Sequence, residues 1–90
     1  MRVRFYNPHP GFLGAAARCP EAVLAEVQAL DGQEADLDEA LAKIRNACPG
    51  AVVEASLEAE PMAVLVTRKT GRDTHTWRVI QFDHAATPLR

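Results

Sequence analysis

The stretch of sequence that decides the fold is PMAVLVTRKTGRDTHTWRVIQF, which runs from Pro61 to Phe82. Its two ends, 63–67 and 76–82, are rich in apolar and β-branched residues, whereas the residues between them are polar. Two such runs on either side of a glycine-containing turn are typical of a β-hairpin. Because the single tryptophan, Trp77, lies in the second run, the hairpin is expected to form the centre of a sheet.

The turn of this hairpin is predicted at 70–73, where Gly71 can adopt the positive φ that tight turns often require. In the second strand, simple alternation places Trp77 and Val79 on one face, and Ile80 and Phe82 on the other. The first strand is apolar on both faces, so it is expected either inside the sheet or against a partner. Its two faces carry Met62, Val64 and Val66, and Ala63 and Leu65.

Two further strands are predicted upstream of the hairpin. One has Val53, Ala55 and Leu57 alternating with polar residues, which indicates a half-buried strand with one wet face. It is followed by a turn at Glu60-Pro61. The other lies at the N-terminus over residues 2–6 and is ended by the two prolines of the segment 7–11. Residues 12–17 fit either a short helical turn or an apolar connection.

Two helices are predicted between these strands. The first runs from Pro20 to Leu30, and Gly32 ends it. The second begins at Asp36, whose carboxylate is expected to cap the helix, with Glu39 three residues later as in a capping box. Its apolar positions repeat every three or four residues up to Pro49-Gly50, and they are Leu37, Leu41, Ile44 and Cys48. Because the connection at 31–35 is short, the helices are expected to be antiparallel.

The sequence therefore predicts one α+β domain over residues 1–90 with the order β-α-α-β-β-β. An antiparallel sheet, made of a three-stranded meander and the N-terminal strand, is expected to carry the antiparallel helix pair on one face. Residues 84–90 are expected to form a frayed tail.

A 90-residue chain buries only a small core, and much of the apolar share here is alanine, so a homodimer is predicted. Neither a signal peptide nor a membrane-spanning stretch is recognisable, which favours a soluble cytoplasmic protein with no membrane contact.

Charge is unevenly distributed along the chain. Residues 20–61 include ten acidic and two basic residues, whereas residues 62–90 include five basic and two acidic ones. The first interpretation is a non-enzymatic interaction module that docks an acidic helical face on a basic protein. A small inhibitor or adaptor, of the kind that phages and mobile elements carry, is one form of it. The predicted contact residues are Glu26, Glu34, Asp38 and Glu39.

The basic hairpin supports an alternative, a small nucleic-acid-binding protein. Cations near the turn would contact phosphates, and an exposed Trp77 beside them would stack on bases. The predicted contact residues are Arg68, Lys69, Arg72 and Arg78.

The two cysteines flank the predicted helices, with Cys19 before the first and Cys48 at the end of the second. In an antiparallel pair those ends lie side by side, so either two reduced thiols or a Cys19–Cys48 disulfide fits the sequence. The thiol pKa of Cys19, close to a helix N-terminus, is expected to be lowered. An enzyme or enzyme subunit with a cysteine nucleophile is therefore a third alternative. The spacing of histidines and cysteines matches no common metal site, and no cofactor is predicted.

Overall fold

The computed structural model of the chain describes residues 1–8, 11–12 and 19–85. One antiparallel sheet has the strand order β3-β1-β6-β5-β4, and β2 also pairs with β6. An antiparallel helix pair packs on one face, so the predicted α+β architecture is confirmed. The elements are β1 (Arg2–Tyr6), β2 (Gly11–Phe12), α1 (Glu21–Leu30), β3 (Glu34–Asp36), α2 (Leu37–Ala47), β4 (Val52–Ser56), β5 (Ala63–Thr70) and β6 (Asp73–His84).

The predicted meander is formed by β4, β5 and β6. Strand β5 pairs with β4 on one side and with β6 on the other, which confirms its interior position. Thr70 lies opposite Asp73, so the turn contains only Gly71 and Arg72. Gly71 has a φ of +63°, the backbone region that favours glycine. Strand β4 ends at Ser56, and Leu57, predicted to alternate inward, is instead 54% exposed.

A β-bulge at Val79 changes the predicted faces of β6. Val64 lies opposite Ile80, but the next residue, Leu65, lies opposite Arg78. Val79 is thus the extra residue of β6. Val64 and Val66 are two residues apart in β5 and therefore share a face. Because Ile80 lies opposite Val64 and Trp77 lies opposite Val66, Ile80 and Trp77 also share a face. The prediction that Trp77 and Ile80 lie on different faces was wrong, because it assumed a strict alternation that the bulge interrupts.

Strand β1 lies between β6 and a strand that the sequence did not predict. The segment expected to be a plain connection contains β3, which pairs antiparallel with β1. On the other side, β6 continues to His84, and the N–H of Ala85 donates to the carbonyl of Arg2 at 3.2 Å. The predicted frayed tail was therefore wrong at His84, while residues 86–90 lie outside the described part of the chain.

Both helices begin and end close to where the sequence places them. Gly32, with a φ of +76°, follows α1, and its N–H donates to the Phe5 carbonyl at 2.8 Å. The Asp36 carboxylate caps α2 by accepting from the N–H of Glu39 at 3.2 Å, as predicted. The same carboxylate accepts from the amino group of Met1 at 3.1 Å. Asp36 therefore connects the start of β1 to the start of α2.

The core lies between the helix pair and one face of the sheet. Phe5 and Phe82, on neighbouring strands, meet edge to face with ring centroids 5.9 Å apart. Trp77 is only 2% exposed and belongs to the same cluster. Each helix contributes its predicted apolar face, namely Val23, Val27 and Leu30 from α1, and Leu37, Leu41 and Ile44 from α2.

We expect Asp36→Ala to lower the melting temperature by several degrees at pH 7, because it removes the cap of α2 and the partner of the N-terminus. The hydrogen bonds from the amino terminus and from the Glu39 N–H lower the pKa of the Asp36 carboxyl below its usual value. The stabilisation is therefore present at neutral pH and is lost as the pH falls through that lowered pKa.

Thermal unfolding followed by circular dichroism checks this prediction. Asp38→Ala, which removes an exposed carboxylate two residues along, is the matched control and should change the melting temperature far less. An Asp36→Ala effect of equal size at pH 7 and at pH 2 would contradict the role given to the carboxylate.

Candidate functional site

Strands β5 and β6 continue past their neighbours as a two-stranded arm, residues 67–76, with the sequence TRKTGRDTHT. Strand β4 follows β5 only as far as Thr67, and β2 meets β6 only at Trp77 and Arg78. Within the described residues, 68–70 and 73–75 pair only with each other. At the base of the arm the hydroxyls of Thr67 and Thr76 share a hydrogen bond of 3.1 Å. Among the described residues, no further strand pairs with either edge of the arm beyond Thr67 and Trp77.

The arm projects from the body and is exposed to solvent. Every residue from Arg68 to Thr74 is exposed, and none of the side chains in 67–76 belongs to the buried core. The last buried pair is Val66 opposite Trp77, and four further residue steps lead to the end of the ladder. At a rise of about 3.4 Å per residue, the arm reaches about 14 Å beyond the core.

The arm is polar and positively charged. Its charged residues are Arg68, Lys69 and Arg72 against Asp73, and its sequence contains no aliphatic side chain. Arg68 and Lys69 are adjacent in a strand, so their side chains leave opposite faces of the ribbon. Cations therefore lie on both faces and at the turn.

Two residues predicted with this cluster lie elsewhere. Trp77 is buried, so it offers no surface for stacking on a base. Arg78 lies opposite Leu65 in the ladder and is half-buried. Its Nη2 atom donates to the Pro61 carbonyl at 3.4 Å. Of the four predicted cations, the structure thus brings together Arg68, Lys69 and Arg72.

His75 lies where the arm meets the body. Its ring is tilted by 35° to that of Trp77, with centroids 6.1 Å apart. Its Nδ1 atom is buried, and the described part of the chain supplies no hydrogen-bond partner for it. His75 faces Arg68 across the ladder.

The predicted acidic contact residues are spread over three elements. Glu26 is half-buried on α1, whereas Asp38 and Glu39 are exposed in the first turn of α2. Glu34 is not on a helix but on β3, where its carboxylate lies 3.6 Å from Nε of Arg2. Acidic residues in a first helical turn are favoured by the helix dipole. Part of this charge therefore has a local structural role.

A polar cluster on the sheet face away from the helices was not predicted. The Tyr6 hydroxyl bonds the Asp83 carboxylate, and Arg78 lies close enough to affect it. Burial, then the Asp83 charge and hydrogen bond, raise the pKa of Tyr6, and the Arg78 charge opposes them. The sequence could not show this cluster, because it depends on the pairing of β1 with β6.

Both cysteines are free thiols that pack in the same region. Cys48 is buried at the end of α2, and Cys19 is half-buried against the core cluster that contains Cys48. Burial, with a smaller contribution from Cys48, raises the pKa of the Cys19 thiol to about 11. The expected lowering was wrong, because loss of solvent outweighs the helix terminus. A thiol with a raised pKa makes a poor nucleophile at neutral pH.

The described residues contain neither a metal-binding cluster nor a membrane-spanning helix. In 1–8, 11–12 and 19–85, no group of three His, Cys, Asp or Glu side chains is arranged to hold a metal ion. Neither described helix has the length and apolar character needed to cross a bilayer.

We expect iodoacetamide to label Cys19 about 100-fold more slowly at pH 7.5 than a thiol of pKa 9.0, because only the thiolate reacts. The rate should rise about tenfold per pH unit up to about pH 10. Peptide mapping by mass spectrometry separates the labelling of Cys19 from that of Cys48.

Denaturation of freshly purified, unreduced protein should release two free thiols. Finding none would support the alternative Cys19–Cys48 disulfide. Labelling of native Cys19 at the rate of a free cysteine would contradict the raised pKa.

Comparisons with protein-family models, with curated proteins and with solved structures give no match for this chain. Function is therefore inferred from the placement of the chain's own residues, and the projecting arm is the most distinctive feature of the described part.

Proposed function

We propose that this chain is a non-enzymatic binding module that contacts the phosphate backbone of nucleic acid through the arm. The observation that carries this proposal is the exposed ribbon 67–76, with Arg68, Lys69 and Arg72 beyond the last buried pair. An isolated two-stranded hairpin is at best marginally stable in water. A segment that adds nothing to the core is more readily understood as a contact surface.

The composition of the arm suits phosphate. Arginine, lysine and threonine side chains all donate hydrogen bonds, and such donors make much of the contact between proteins and nucleic-acid backbones. Seven of the ten arm residues are of these three types. The ribbon therefore presents donors along its whole length.

The negative charge of the remaining chain does not prevent this contact. The formal net charge is −2, and most acidic residues lie in 20–61. The arm reaches about 14 Å beyond the core, whereas the Debye length at physiological salt is about 8 Å. Arg72, at the end of the arm, therefore acts on a partner largely independently of the acidic helices, whereas Arg68 lies only about 7 Å beyond the last buried pair.

The placement of the acidic residues ranks the two binding hypotheses. Glu34 is paired with Arg2, and Asp36 caps α2 and binds the amino terminus. Asp38 and Glu39 have no ion pair, but they lie in a first helical turn whose dipole favours them. Within the described part of the chain no ion pair involves Arg68, Lys69 or Arg72, and no helix end accounts for their charge. The unpaired charge of the arm favours an anionic partner.

We expect binding to a 24-bp DNA duplex to weaken about 40-fold between 50 and 200 mM salt. Three arm cations at the duplex surface, wherever each lies on it, displace counterions as three neutralised phosphates would, which gives a slope of about −2.7 in a plot of log K against log salt. In Arg68→Ala/Arg72→Ala the slope should fall to about −0.9 and the loss over the same range to about fourfold. Fluorescence anisotropy measures both.

The matched control is Arg4→Ala/Lys43→Ala, which removes two exposed cations away from the arm and should keep the wild-type slope. A homodimer that used both arms would give a slope of about −5.4, which tests the predicted dimer in the same titration. Equal binding by the wild type and the arm variant would refute the proposal.

A second candidate function is the docking of the helical face on a basic protein. The exposure of Glu21, Asp38 and Glu39 favours it, because these carboxylates are open to a partner. A small inhibitor or adaptor would use such a face to occupy a basic groove.

For this candidate we expect Glu26→Lys/Asp38→Lys to abolish capture of a basic partner on immobilised protein, because reversed charges repel it. The captured protein is identified by mass spectrometry and tested again in purified form. Arg68→Ala/Arg72→Ala is the matched control, since it leaves the helices unchanged and should retain the partner. Retention by the charge-reversed variant would exclude this face.

A further inference from the structure

We infer that the partner of the arm is double-stranded DNA of the B form, entered through the major groove. This inference rests on the proposed function and specifies the kind of nucleic acid. It is based on the width, reach and side-chain placement of the ribbon 67–76.

The arm lacks what single-strand binding requires. Proteins that hold unpaired bases stack them on aromatic side chains. The arm has no Phe, Tyr or Trp. The next residue of the strand, Trp77, is aromatic but only 2% exposed, because it lies in the core. The imidazole of His75, tilted against Trp77, is half-buried. Along residues 67–76, a single strand would therefore meet cations and no aromatic ring other than the half-buried imidazole of His75.

The dimensions of the arm fit one groove of one duplex form. The major groove of B-form DNA is about 12 Å wide and 8.5 Å deep and admits a two-stranded β-ribbon, whereas the minor groove is only about 6 Å wide. The arm extends about 14 Å beyond the core, so its turn can reach the groove floor while the body stays outside. The major groove of A-form RNA is too narrow and deep for side chains to read.

The charges are arranged as this insertion requires. Arg68 and Lys69 leave opposite faces of the ribbon, and each face would meet one of the two phosphate walls. The two-residue turn, with Gly71 at a φ of +63°, keeps the end of the arm narrow. The hydrogen-bonded Thr67 and Thr76 hold the two strands together at the groove entrance.

The residues at the end of the arm match base edges. Arg72 and Asp73 are adjacent and exposed at the turn. An arginine can bond the O6 and N7 atoms of guanine together, and an aspartate can accept from the N4 amino group of cytosine. Phosphates would repel Asp73. An aspartate in a basic arm is therefore consistent with an arm whose end lies against bases and not against phosphates.

The test compares three labelled probes of one sequence at 100 mM salt, namely a 24-bp DNA duplex, its single strand and the corresponding RNA duplex. We expect the DNA duplex to bind at least about tenfold more tightly than the other two. Methyl green, which occupies the major groove, should displace the protein, and netropsin, which occupies the minor groove, should not.

Arg72→Lys is the matched variant for the base contact, because it keeps the charge and loses the paired donors of the guanidinium. It should retain the wild-type salt slope and lose about tenfold in preference for a G·C-rich over an A·T-rich duplex.

The outcomes separate this inference from the proposed function. Equal affinity for duplex and single strand, displacement by netropsin, or an unchanged base preference in Arg72→Lys would overturn the inference. Arm-dependent, salt-sensitive binding would still support the proposed function in each of those cases. Failure to bind any of the three probes at 50 mM salt would overturn both.

Discussion

The pairing of β5 with β6 is the interaction on which the rest of the structure depends. The extra residue at Val79 brings Trp77 onto the same face as Ile80 and Phe82, so a single face of the sheet meets both helices. Removing a buried tryptophan or phenylalanine side chain typically costs about 3–5 kcal/mol. That is a large part of the roughly 5–15 kcal/mol that stabilises a small domain. Without the bulge, Trp77 would face away from the helices and the core would lose its largest side chain.

The same two strands also produce the arm. Up to Val66 and Trp77 the ladder is apolar on the helix side, and from Thr67 and Thr76 onward it is polar on both sides. The core therefore fixes one end of the ribbon, while the other end has no neighbour among the described residues. The edge strand β4 differs, because Arg45 donates to the carbonyl of Val53 at 3.1 Å and so occupies part of that edge. Such cover protects a sheet edge from pairing with another chain.

Features encoded locally could be predicted, and features that depend on distant pairing could not. Asp36, Gly32 and Gly71 act at one helix start, one helix end and one turn, and the sequence pattern around each is sufficient to identify it. Strand β3 has only three residues, and it forms because β1 lies alongside with Arg2 opposite Asp36. Arg68, Lys69 and Arg72 lie at the hairpin end where the sequence places them. The positions of Arg78 and Trp77 were not predicted, because one extra residue in the strand decides where both of them lie.

The relation between charge and local structure bears on where function resides. Asp36 and Glu34 each have an intramolecular partner, and Asp38 and Glu39 lie in a helical turn whose dipole favours them. Folding alone accounts for these acids. It does not account for three exposed cations on a ribbon that buries no side chain in the core. The proposed function supplies the missing reason, because an anionic partner would contact the three cations that folding leaves exposed.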